Sequence, residues 1–301
     1  MQSSRDGWFS APDHRNPCRS RCGISHGGKR RVRRCSVTEI LQQRSGRLLR
    51  ITLNRPEQRN AIDRATDAAL RAAWAAFAAD DGLDVAILTG AGDDAFCAGA
   101  DLRDYIPRFL NADMGVVRDN IATGLGGLTR GMPMLTKPVI AAVNGWALAG
   151  GFELALACDI RIASTKARFG SFEIHRGFHH GDGGIVRLIA SLGLSRTMDI
   201  VLSGRIVDAA EAERIGLVHQ CVAPEQLLAA AETYAADLLG RSQRALRSAK
   251  QTMLEVIGRS LEDALRLEAL YGYSSGDPAD IRTRLADFFA RRTPAPDHDE
   301  T

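Results

Sequence analysis

No apolar run in this chain approaches the twenty or so residues needed to cross a bilayer. Residues 138–143 are among the longest such runs, which excludes a protein built on membrane-spanning helices. Cysteine is sparse too. The six, Cys18, Cys22, Cys35, Cys97, Cys158 and Cys221, are scattered without the spacing of a disulfide framework. The last three sit in apolar or alanine-rich stretches and read as small buried residues, so a reducing compartment, the cytoplasm, is expected. Cys18, Cys22, His26 and Cys35 match no usual zinc spacing, and no second pair follows. Flavin, nucleotide-redox and metal motifs are missing as well, so neither a resident cofactor nor a metal is expected. The N-terminal segment lacks the apolar stretch of a secretory signal.

What is present is ordinary soluble globular composition, 45% hydrophobic and 25% charged. A length of 301 residues suits one large core or two modest domains. The net charge of +3 hides an asymmetry. Residues 1–38 hold nine Lys or Arg against two Asp, a net +7 that leaves −4 for the rest. A mildly acidic body is no nucleic-acid footprint. Residues 1–37 have no hydrophobic periodicity and are expected to be a disordered, inert extension, in preference to a transit segment or a tail for nucleic acid or membrane surfaces.

Along the body, residues 48–53 alternate like a strand and end at the turn signal Asn54-Arg55-Pro56. Residues 62–79 put Leu70, Trp74 and Phe77 on one helical face. Short buried strands are expected at 85–89, 139–143 and 159–163, which makes residues 38–194 an α/β body. From 195 to 292 the pattern turns helical, at 198–202, 209–215, 225–239, 244–257, 261–270 and 281–289, with one weak strand at 218–222. Residues 293–301 form a tail.

Two glycine-bearing segments follow buried strands and are expected to open into helices: residues 96–102 and residues 144–154. Strand, tight turn and helix start together leave backbone N–H groups free at a positive dipole end. Two such ends aimed at one point make an oxyanion hole. Glu153 lies in the otherwise apolar stretch Phe152-Glu153-Leu154-Ala155. Glu173 lies in Phe172-Glu173-Ile174. A carboxylate among apolar neighbours needs a partner, a cavity or a job, and two of them beside a proposed oxyanion site point to chemistry.

These stretches resemble the crotonase (enoyl-CoA hydratase/isomerase) superfamily over residues 38–292. Supporting matches are Leu53-Asn54-Arg55-Pro56 with Asn60-Ala61-Ile62, the run 98–102, Lys137-Pro138 through Asn144-Gly145, and Ser203-Gly204-Arg205 leading to Gly216-Leu217-Val218. The resemblance implies an α/β fold, a crotonase-like spiral of ββα units followed by a helical C-terminal oligomerisation region that builds homotrimers or hexamers. It implies an acyl-CoA substrate, with coenzyme A entering only as part of that substrate, and neither a nucleic-acid partner nor a membrane span. The implied oxyanion donors are the amides of Ala100 and Gly150. Arg59, Ala61, Ala98, Asp101, Leu102 and Gly181 are the implied substrate and CoA contacts. Hydratases of the family carry two glutamates, here Glu153 as the base that holds water and Glu173 as proton donor to C2. Two close carboxylates are expected to titrate as a coupled unit.

The loop after Glu173 departs from the family pattern. His180 replaces a usual proline, Asp182 stands where a small residue is common, and Phe172 replaces the proline before the second glutamate. The plain reading is a reshaped acyl pocket. The sharper one brings His179, His180 or Asp182 into the chemistry, with Asp182 orienting the ring and the reaction becoming isomerisation or hydrolysis of a thioester or carbon–carbon bond. A His179–His180 metal pair lacks a third ligand at sensible spacing. Phe109, Met114, Trp146 and Phe178 are candidates for shaping the pocket. The leading function is hydration of a 2-enoyl-CoA; a non-catalytic acyl-CoA binder is the alternative of another class.

Overall fold

The computed structural model describes residues 38–110, 112–130 and 135–290, apart from the side chain of residue 110. All of them belong to one compact unit. The basic segment 1–37, with its cysteines and His26, and the end of the chain from 291 lie outside the described residues.

A hairpin of β1 (Ile40–Ser45) and β2 (Leu48–Leu53) opens the body, in the register Ile40↔Leu53. β2 alternates as its sequence demands, with Leu49, Ile51 and Leu53 inward. β1 gave no signal in the sequence because only Ile40 is buried and the other five residues face solvent. There follow β3 (Val85–Gly90), β4 (Ala95–Cys97), β5 (Val139–Val143), β6 (Trp146–Leu148), β7 (Ile160–Ser164), β8 (Arg168–Gly170), β9 (Ile206–Asp208) and β10 (Gln220–Val222). They form two sheets, ordered β1-β2-β3-β5-β7-β10 and β4-β6-β8-β9. Each of the pairs β3/β4, β5/β6 and β7/β8 sends its first strand to the large sheet and its second to the small one. That repeat winds the chain forward as a spiral, and all pairings between successive turns are parallel.

β3 and β5 are buried along their whole length and therefore read as continuous apolar runs. Their alternation still sorts two cores. Ala86, Leu88, Val139, Ala141 and Val143 face the main core, with Trp74 and Phe77 of α1 (Arg64–Ala79). Val85, Ile87, Ile140 and Ala142 face the other side. α1 starts where Asp63 caps the Thr66 amide at 2.8 Å.

The remaining helices are α2 (Pro107–Leu110), α3 (Met114–Thr123), α4 (Gly150–Ala157), α5 (Gly184–Leu192), α6 (Leu194–Ser203), α7 (Ala209–Arg214), α8 (Leu227–Leu239), α9 (Gln243–Val256), α10 (Leu261–Ser274) and α11 (Pro278–Ala290). The expected order, α/β then helices, is what the structure has. The change of character near residue 195 nevertheless falls inside the core. β10 pairs with β7, β9 pairs with β8, and Leu227, Ala231 and Ala235 of α8 cover the second face of the large sheet. α9, α10 and α11 bury no residue fully and present large apolar side chains to solvent, among them Leu261, Leu265, Leu270 and Leu285. No described helix is long and apolar enough to cross a membrane.

Candidate active site

The two glycine-bearing segments meet. Gly99 holds φ +94, a conformation glycine alone adopts without strain, and a Cβ built on it would lie 3.0 Å from the Gly150 nitrogen. At Ala100 the direction of the amide comes from a bridge to Ile62. Ile62 N donates to Gly99 O and Asp101 N donates to Ile62 O, both at 2.8 Å. Ala100 N–H is thereby left facing away from Ile62, and it has no acceptor among the described residues. This corrects the expectation of a helix start there. The chain makes a series of turns, and α2 is only four residues long. Asp101 holds that turn, accepting from Arg103 N at 2.9 Å and Asp104 N at 3.3 Å, and pairs with Arg55 at 3.1 Å.

Gly150 does open a helix. Ala149 precedes it at φ 52, ψ −125, a strained conformation for a residue with a Cβ, and donates its N–H to Gly170 O at 2.9 Å. The Gly150 amide is one of the helix's unpaired first N–H groups.

Glu153, in the first turn of α4, is 2% exposed. Its Oε1 accepts from Asp182 N at 2.7 Å and Gly184 N at 2.9 Å, the latter at the start of α5. Glu173 lies in the 3-10 turn Phe172–Arg176 and is 4% exposed. Its Oε2 is buried without a hydrogen-bond partner among the described residues.

His180 joins the two acids. Its Nδ1 lies 2.8 Å from Glu173 Oε1 and 3.5 Å from Glu153 Oε1. The Glu173 contact is at ion-pair distance but off the line of a well-aligned hydrogen bond, so electrostatics dominates it. On the other side Nε2 is 2.7 Å from Ser171 Oγ, and the ring packs edge-on to Phe152. Burial pushes the imidazole's pKa down, but the hydrogen bonding and charge of Glu153 and Glu173 more than offset it and raise it to about 9. The three donor atoms all lie within 4.8 Å of one another, a spacing that a divalent cation would also accept. His179 is not among the three, so the His179–His180 pair considered from the sequence does not form.

The other loop residues play different parts. His179 is exposed, its Nδ1 against the carbonyl of His180 at 2.8 Å. Asp182 does not orient a histidine, contrary to the sharper sequence reading. Its carboxylate accepts from Leu125 N at 2.9 Å and Thr129 Oγ1 at 3.3 Å, tying residues 125–129 to the site. Burial, then the charge of Glu153, raises its pKa. Arg187 fastens the same junction, donating to Asp182 O at 3.0 Å and Thr129 O at 2.8 Å. Ser171, Phe152, Leu125 and Arg187 were missed in the sequence. Nothing local marks them: Leu125 and Arg187 reach partners 57 and 58 residues away, Phe152 packs on the distant His180 ring, and Ser171 lies nine residues before that histidine.

Among the expected CoA contacts, Arg59 carries its guanidinium against Asp94 at 2.8 Å, half exposed. Its carbonyl accepts from Ala98 N at 3.0 Å, which lays residues 59–61 along the strip 98–101. The carbonyl of Ala61 accepts from Arg55 at 2.5 Å, Leu102 is exposed, and Gly181 O accepts from Arg130. Met114 and Phe178 are exposed, and Phe109 stacks on Tyr105.

Residues 43–297 match the family described as enoyl-CoA hydratase/isomerase. A mevalonyl-coenzyme A hydratase of Aspergillus fumigatus is 44% identical over 200 residues, covering 66% of this chain and 72% of that protein. A probable enoyl-CoA hydratase of Rhizobium meliloti is 38% identical, covering 85% and 97%. The crystal structure of an enoyl-CoA hydratase from Mycobacterium tuberculosis superposes with a TM-score of 0.76 at 35% identity, covering 86% of this chain and 98% of that one. With the spiral fold and the paired turns, these likenesses make the chain a member of the enoyl-CoA hydratase/isomerase family, the crotonase superfamily.

Proposed function

We propose that this protein hydrates a 2-enoyl-CoA thioester, adding water across C2=C3 on one face. The observation that carries the reading is the pair of buried carboxylates, Glu153 and Glu173, both beside His180 Nδ1 and next to two segments with unpaired amides. The thioester oxygen gains charge as the enolate forms, and the amides of Ala100 and Gly150 stabilise it. Glu153, held by two backbone N–H bonds, takes a proton from water as its oxygen bonds to C3. Glu173 delivers a proton to C2 from the same face. Coenzyme A enters with the substrate; residues 98–102 with Arg59 and Ala61 are the proposed substrate and CoA contacts, and the Gly181 backbone is the proposed contact of the attacking water. We assign the protein to the cytoplasm, on the strength of free cysteines at 97, 158 and 221, and a trimer or hexamer to its exposed apolar C-terminal helices.

Loss of the conjugated-thioester absorbance of crotonyl-CoA tests the reading. Glu153→Gln and Glu173→Gln are each expected to slow hydration about 10²- to 10⁴-fold. Wild-type turnover in Glu153→Gln would end the two-carboxylate assignment. Thioester hydrolysis has one observation in its favour: Ser171, His180 and Glu173 follow one another at 2.7 and 2.8 Å, the order of nucleophile, base and orienter. A ring that keeps its second proton to about pH 9 has no lone pair for a serine proton at neutral pH, and this favours hydration. A thiol reagent reads the difference, because hydration releases no CoA.

A further inference from the structure

We propose that His180 is a positioning residue of the acid–base pair, holding a proton between Glu153 and Glu173 and passing it from the first to the second in each turnover. The inference rests on the hydratase reading and adds a third member to its two acids.

Three observations carry it. The ring is closely packed: a Cβ built on Gly184 would lie 2.7 Å from His180 Cγ and 3.0 Å from Glu153 Cγ, so only glycine at the first position of α5 leaves room for both side chains. Its orientation is fixed from behind, by Ser171 at Nε2 and the edge of Phe152. And Nδ1 lies near both carboxylates, at 2.8 and 3.5 Å. A neutral ring with its lone pair at Nδ1 would set three electron-rich atoms against one another in a buried space, so Nδ1 carries a proton.

The charges then add simply. Two carboxylates and an imidazolium give −1, the same charge as two acids sharing a proton. During hydration a water O–H bond breaks and its proton goes to Glu153. The water oxygen's electron pair forms the C3–O bond, and the π pair, carried through the enolate, forms C2–H with a proton that Glu173 delivers and draws from Nδ1. Glu153 is left protonated, Glu173 ionised and the ring neutral. Passage of the Glu153 proton to Nδ1 restores the starting state, with the charge at −1 throughout. The charged groups around the ring are Glu153 on α4, Glu173 on its 3-10 turn, and, one step out, Asp182 in the loop and Arg187 on α5, which faces Glu153 and Asp182. The pKa of about 9 lies above the usual 6.5, so the proton is held below that pH and lost as pH rises through it.

The test uses the full chain and His180→Asn, whose amide can donate near the Nδ1 position but cannot titrate. The wild-type kcat for crotonyl-CoA is expected to fall on a basic limb near pH 9. The variant is expected to lose that limb and about 10- to 100-fold in kcat, with KM changed by no more than about three-fold. An unchanged kcat with the same limb would overturn the proposal, leaving His180 a packing residue. So would activity lost to EDTA and restored by a divalent cation, because the three donors would then hold a metal. NMR titration of the ¹⁵N-labelled imidazole gives an independent readout. In wild type the ring should titrate near 9, and in Glu173→Gln clearly lower; a ring already neutral at pH 7 overturns the proposal. Because this titration needs no turnover, it stands or falls separately from the hydratase reading.

Discussion

At Gly99 a single missing methyl group sets the distance between the two halves of the proposed oxyanion site. Its φ of +94 and the 3.0 Å approach of the Gly150 nitrogen leave no room for a side chain. Gly99→Ala is therefore expected to push the segments apart and cut hydration about 10²- to 10³-fold, the loss typical of one missing oxyanion donor. Circular dichroism should show the fold retained. Wild-type turnover in that variant would mean that the mutual position of the two amides does not matter. Glu153 and Glu173 were legible at this scale because a carboxylate in a run of apolar residues stands out. The part played by His180 was not. The sequence shows a histidine where the family resemblance leads one to expect proline, and its meaning depends on acids 27 and 7 positions away that only folding brings within 3.5 Å.

At the scale of elements, legibility followed burial. β3 and β5 are buried on both faces and announced themselves as apolar runs, and α1 showed its face through Leu70, Trp74 and Phe77. β1 buries one residue in six and was invisible. β4, β6, β8 and β9 have three residues each, too few for a period of two to register. The second sheet, which carries the turns into both glycine segments, was therefore hidden even though the glycines themselves were noticed. The strand, turn and helix start expected at Gly150 is present, with strain at Ala149 aiming the helix. At Ala100 the same expectation met a different device, a one-residue bridge to Ile62, which no local pattern encodes.

For the molecule as a whole, α8 belongs to the core while α9, α10 and α11 leave apolar side chains in solvent, including Ile281 and Leu285 four residues apart on one helix. Faces of this kind mark contact with another protein surface. Sedimentation equilibrium is expected to give a trimer or a multiple of it, and Leu285→Glu to lower the mass; a wild-type monomer would remove the proposed assembly. The most direct test of the central claim is the structure of this protein with a bound 3-hydroxyacyl-CoA. The account predicts the thioester oxygen about 2.7–3.1 Å from the nitrogens of both Ala100 and Gly150, with Glu153 at the C3 hydroxyl and Glu173 at C2. A thioester bound away from those two amides, or with either glutamate out of reach of its carbon, would contradict it.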